Sequence, residues 1–198
     1  MDSKVRQSWE EFLDPDMLRP RLIRAAIYIA GYEALKDAII DRLREFFTTG
    51  FDASGLKIDP KYDSDVLSRN KNVLLASLDW LEEMRVIDDA DIEAFNRVKS
   101  CRNMLAHRLL TAIGSEGMPA DLEPCFHAMI ALLRKIEVWW IKEVEIPTID
   151  DFDGQEIDEG EIMPGRVISL QLLRDIALGD EENSRSYLDE FRKRIGDV

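Results

Sequence analysis

Residues 17–47 read MLRPRLIRAAIYIAGYEALKDAIIDRLREFF, and this stretch decides the fold class. Leu22, Ile23, Ala26, Ile27, Leu35, Ile39, Leu43 and Phe46 recur in it at the three-and-four spacing of one helix face. Asp14 or Asp16 can cap such a helix. Pro20 is tolerated in its first turns, where backbone N–H groups have no internal partner. The helix is expected to run from about Met17 to Phe47. TTGFDASG then breaks it, and residues 50–64 read as a loop rich in Gly, Asp, Ser and Pro.

Outward from this helix the same period continues. A second helix is expected over about 65–86, with Leu67, Val73, Leu74, Leu78 and Leu81 as its apolar stripe. Asp88 or Asp89 caps a third over about 90–112, which ends in IGSEGMP. Pro119 opens a fourth that reaches about Val144 through Leu122, Phe126, Ile130, Leu133, Ile136 and Trp140. Convincing period-two runs are absent, and 45% of the 198 residues are hydrophobic, enough for a full core. The expectation is an all-α fold: a bundle of four main helices over 1–143, an acidic linker over 144–167, and a partly helical extension over 168–198.

The charge is uneven. The chain carries −14 overall, but residues 1–142 hold 20 basic and 24 acidic side chains, whereas 143–198 hold 6 and 16. Residues 143–161 alone contain nine carboxylates and no Lys or Arg, the pattern of a solvated linker. A general nucleic-acid-binding coat is therefore excluded, and any such contact needs a local basic patch. Cys101 and Cys125 make no disulfide framework, and with no signal-peptide pattern and no sufficiently long apolar run, neither secretion nor a membrane span is expected. A cytoplasmic, reduced protein is expected.

That local patch has one candidate. Between Glu93 and Glu116 lie 22 residues without a carboxylate, where the chain average predicts about four. They contain Arg97, Lys99, Arg102, Arg108 and His107. Arg102 falls inside the apolar stripe of Phe95, Val98, Leu105 and Leu109, so it must snorkel, line a cleft, or pair with a first-helix carboxylate such as Glu33, Asp37 or Asp41. Asn103 and His107 share a helix face, whereas Arg102 and His107 point about 140° apart. Their convergence needs the reach of Arg, a helix irregularity or a second subunit. The alternative for His107 is an ordinary surface histidine.

The segment Arg102-Asn103-Met104-Leu105-Ala106-His107 resembles the R-x4-H motif of HEPN domains (higher eukaryotes and prokaryotes nucleotide-binding), and the helical setting over about 15–143 is similar. The resemblance implies a homodimeric, metal-independent endoribonuclease, a toxin or antiviral defence effector, with RNA as substrate and no cofactor. His107 would then be the general acid or base for attack of the ribose 2′-hydroxyl, a task suited to imidazole chemistry. Arg102 would clamp the phosphate and Asn103 would orient the reacting groups, leaving a 2′,3′-cyclic phosphate. Arg97, Lys99 and Arg108 are the candidate substrate-binding cations, and an antitoxin or defence-system protein is the implied partner. Where toxins paired with nucleotidyltransferases carry a Tyr two residues past the His, this chain has Leu109, which makes control of that kind doubtful.

Other readings remain open. The bundle also suits a non-catalytic HEPN nucleotide-binding or dimerisation module, or an acidic helical adaptor whose tail binds a protein. The acidic run could compete with RNA for the basic strip. Cys101, His107, Cys125 and His127 lack chelating spacing for zinc. Adjacent Trp139 and Trp140 are expected to split between the core and a neighbouring element.

Overall fold

The computed structural model describes residues 3–53, 55–114, 117–149 and 157–196. The protein is all-α: helices account for 78% of it, with one small two-stranded ribbon. Its elements are α1 (Ser3–Leu13), α2 (Pro15–Phe46), β1 (Thr48–Asp52), β2 (Gly55–Ile58), α3 (Val73–Glu83), α4 (Asp89–Ile113), α5 (Leu122–Trp140), α6 (Gly165–Leu178) and α7 (Glu181–Gly196). Among the described residues no helix is long and apolar enough to cross a membrane.

α2 begins where the Asp14 side chain accepts the Asp16 N–H at 2.9 Å and Pro15 takes the first helical position. It buries Tyr28, Leu35, Ala38, Ile39 and Leu43 completely or nearly so, and α3, α4, α5 and α6 all pack on it. At Gly31 an added Cβ would come within 2.5 Å of the Met129 methyl on α5, so the missing side chain permits that approach. α4 has the clearest start in the chain. Asp88 accepts from the Ala90 and Asp91 N–H groups while Asp91 accepts from the Asp88 N–H, a reciprocal capping box.

Four features differ from the sequence-based expectation. α1 precedes the first expected helix, held by the Arg6–Glu10 pair and an edge-on contact of Trp9 with Phe12. The expected loop at 50–64 contains the β1–β2 hairpin, in which Phe51 lies opposite Leu56. Both of those side chains face solvent, so the ribbon has no buried face to impose apolar alternation. The second helix starts at Val73 rather than near 65. A π turn over Tyr62–Val66 and a 3-10 turn over Leu67–Arg69 come first, and Asn70 then adopts an extended conformation. Asn72 caps α3 by accepting the Leu74 and Leu75 N–H groups, the local bonding that draws Asn out of helix interiors. Finally, α5 proper stops at Trp140 and continues as a π turn to Glu145 and a 3-10 turn to Thr148.

The C-terminal part is tied into the bundle. Val167 and Leu170 of α6 join the same core as α2 and α5. The Glu137 carboxylate, only 5% exposed, accepts from Arg42 of α2 at 3.2 Å and from Arg166 of α6 at 2.6 Å. Arg174 of α6 pairs with Glu123 of α5 and lies over the Phe126 ring. The described part of the acidic run is held likewise. Lys142 pairs with Glu159 at 2.7 Å, and Arg134 donates to the Glu159 and Ile162 carbonyls. Residues 150–156 of that run lie outside the described residues.

These contacts set two expectations for stability. Leu170→Ala should cost about 2–4 kcal/mol in urea unfolding, because it opens a cavity between α6 and α2. Glu137→Ala should cost about 2 kcal/mol, because it removes the buried carboxylate that Arg42 and Arg166 share and leaves Arg42 with Glu145 alone. Wild-type stability in either variant would contradict an α6 that is integral to the core.

Candidate functional site

The candidate site lies on α4, which is packed between α2 and α5. Phe95, Val98, Cys101, Leu105 and Ala112 point into the core. The opposite side exposes Asn96, Ser100, Ala106, His107 and Leu110. Arg102 and Asn103 sit at the margin, both half-buried.

Arg102 leans toward α2. Its Nη2 donates to Glu33 Oε1 at 2.8 Å, its guanidinium lies 5.3 Å from the Tyr32 ring centroid, and its Nη1 donates to Asn103 Oδ1 at 3.4 Å. The third nitrogen, Nε, is buried without a partner among the described residues. An Arg on an apolar stripe has thus reached the surface edge, stacked on an aromatic face and paired with one of the three carboxylates the sequence offered. Glu33 also accepts from Lys36 one turn along α2. The Lys36 hydrogen bond is the main influence holding the Glu33 carboxyl below its usual 4.5; burial opposes it, and the Arg102 hydrogen bond adds to it.

Asn103 and His107 are one turn apart on the same face, so a polar line runs Glu33, Arg102, Asn103, His107. His107 is exposed. Immediately after it, Arg108 leaves helical geometry (φ −127°, ψ 26°), so the last turn of α4 is offset from the rest. That turn is anchored by Arg21 of α2, which donates to the Ile113 and Gly114 carbonyls and pairs with Glu11 of α1 at 2.9 Å. The irregularity lies C-terminal to both motif residues, so it does not swing His107 onto Arg102.

The remaining expected cations are not gathered with these residues. Arg97 lies on the α5 flank, where its charge acts on the Cys125 thiol, while Arg102 lies on the α2 flank. Lys99 is half-buried, and Arg108 is exposed at the kink. The basic strip therefore divides around the helix. Tyr32 and Lys36 complete the Arg102 surroundings, and neither belongs to the motif on α4. Their signal was the spacing of Tyr32, Glu33 and Lys36, which places them on neighbouring positions of one helical surface.

The four residues considered for zinc do not assemble. Cys101 and Cys125 are buried beside Tyr28, and burial pushes the Cys101 thiol up to about 11. His107 and His127 are exposed, and His127 faces Glu123 of its own helix at 3.5 Å. Trp140 is buried and stacks on Trp80 with planes 5° apart, whereas half-buried Trp139 meets Trp80 edge-on. No protein family, curated protein or solved structure matches the chain.

The depressed Glu33 carboxyl fixes a pH dependence. A carboxyl lowered on folding contributes stability above its unfolded value and loses it as pH falls through the folded one. Wild type should therefore exceed Glu33→Gln in thermal stability above about pH 4.5. The difference should shrink as pH falls below that point. A difference that stays constant from pH 7 down to the acid transition would show that the Glu33 charge is not responsible.

Proposed function

We propose that the protein is a metal-independent endoribonuclease of the HEPN type, acting as a toxin or antiviral defence effector. His107 serves as general acid or base, Arg102 as the phosphate clamp and Asn103 as the link between them. The observation that carries this reading is the hydrogen-bonded chain Glu33–Arg102–Asn103, with exposed His107 one helical turn beyond Asn103. A phosphate arriving at this edge would take the place of the Glu33 carboxylate on the guanidinium, exchanging a planar oxyanion for a tetrahedral one that also offers two oxygens to the fork. The imidazole would then deprotonate the 2′-hydroxyl for attack on the adjacent phosphorus, yielding a 2′,3′-cyclic phosphate and a 5′-hydroxyl end. A homodimer fits the outer face of α4, where Leu110 is 76% exposed one turn beyond His107 and small Ser100 and Ala106 flank the line. Arg97, Lys99 and Arg108 would contact RNA from either side, and an antitoxin or defence-system protein would restrain the activity.

A second reading is favoured by one observation. Glu33 already neutralises Arg102, which suits a non-catalytic module whose motif residues hold α2 against α4. RNA digestion in EDTA separates the two. The nuclease reading expects cyclic-phosphate ends, a loss of about 100-fold or more in His107→Ala and Arg102→Ala, and tighter RNA binding in Glu33→Gln. Activity that persists in His107→Ala would overturn the assigned chemistry. RNA left intact by folded wild-type protein would favour the module.

A further inference from the structure

At the far end of α2 from α1, an open pocket of about 410 Å³ lies between α2, the end of β2, the π turn and the start of α3. It shares no residue with the Arg102–His107 line. Ile40, Ile58, Leu67 and Val73 form apolar walls, and Asp41, Asp59 and Asp63 bring three carboxylates against one cation, Arg44. Asp59 accepts the Lys61 N–H at 2.9 Å, whereas Asp41 and Asp63 have no ion-pair partner among the described residues.

The carboxylates are accompanied by an unusual hydroxyl. Tyr62 is 94% buried, since only 6% of its surface is exposed, and its ring packs on Phe47 with centroids 5.7 Å apart. Its hydroxyl makes no hydrogen bond among the described residues, and it is not among the fully enclosed unpaired atoms. The polar tip of a buried tyrosine is therefore left open in the pocket it lines. Asp41, Arg44 and Asp63 line the same pocket as this hydroxyl; burial chiefly pushes it up, Arg44 opposes this, and Asp41 and Asp63 reinforce it.

We propose that this pocket binds a primary alkylammonium ion of the diamine class. An ammonium group offers three donors and no acceptor, matching two unpaired carboxylates and a free hydroxyl oxygen. A short methylene stem would cover the four aliphatic walls, as the stem of a lysine does on apolar surface. The volume falls within the range of about 300–1,000 Å³ usual for small-ligand sites. The local excess of two negative charges and the whole-chain charge of −14 both draw cations toward it and repel anions. The same chemistry reaches the pocket either as a free diamine or as the lysine side chain of another protein.

Calorimetric titration of the full chain with 1,5-diaminopentane tests the proposal, with Nα-acetyl-lysine amide as the second arm and 1-pentanol as a neutral control. Saturable diamine binding is expected, weakening as salt is added. It should weaken about tenfold or more in the Asp41→Asn/Asp63→Asn double variant, and about threefold in Tyr62→Phe. Tighter binding of the lysine amide than of the diamine would assign the site to a protein side chain. Val73→Trp, at the exposed first residue of α3, should close the pocket and abolish binding even where the double variant fails to fold. No saturation at millimolar diamine, binding of pentanol equal to that of diamine, or undiminished binding in Val73→Trp would overturn the proposal.

Discussion

Everything in this fold depends on how closely four other helices approach α2. A helix of 32 residues is long enough to serve as the common wall of the core, but only if its buried surface admits neighbours on several sides. Ala25, Gly31 and Ala38 supply that room between the larger Tyr28, Leu35, Ile39 and Leu43. Met129 of α5 and Leu170 of α6 meet at Gly31. The Glu33–Arg102 pair is a consequence of this crowding. With α4 pressed against α2, the Arg102 side chain can satisfy its charge only by passing over Tyr32 to the first acidic residue at the rim.

The acidity of the chain is managed by placement. Among the described residues the core holds one buried carboxylate, Glu137, and gives it two guanidinium partners. Arg42 continues to Glu145 at 2.5 Å, so one network joins α2, α5, the turn after α5 and α6. Arg134 and Lys142 fasten the described start of the return segment at Glu159 and Ile162. The described part of the acidic run contacts basic residues of α5 and the turn that follows it.

The sequence made α2, α4 and α5 legible because apolar residues recur along each at the helical period, and α2 and α4 also open on side-chain caps. The Asp88 capping box is an example in which cap and apolar period agree. The hairpin was not legible, because a ribbon with both faces wet carries no alternation; Phe51 and Leu56 even present large apolar groups to water. α1 does carry an apolar stripe at helical spacing, Val5, Trp9, Phe12 and Leu13, but the stripe is short and leaves Trp9 and Leu13 exposed, so it marks no core face. The docking of α6 depends on Val167 and Leu170, which local periodicity marks as apolar without saying what they meet. At the candidate site, the choice of partners for Arg102 was readable as three carboxylates on α2, and only the packing distinguishes Glu33 from Asp37 and Asp41. The division of Arg97 and Arg102 between flanks was readable from helix geometry, but a linear basic strip disguises it.

The aromatic cluster at the end of α2 has an optical consequence. Three of the four tryptophans, Trp80, Trp139 and Trp140, stand in mutual contact beside Phe46. Glu33 lies 13 residues back along α2, about 20 Å from that cluster at 1.5 Å per residue. The fourth, Trp9, is half-exposed on α1. Intrinsic fluorescence of this protein therefore reports chiefly on the junction of α2, α3 and α5, with energy shared among neighbouring indoles. Among the described residues the ring that Arg102 meets is Tyr32, not an indole, so emission changes on that side of the molecule are almost silent.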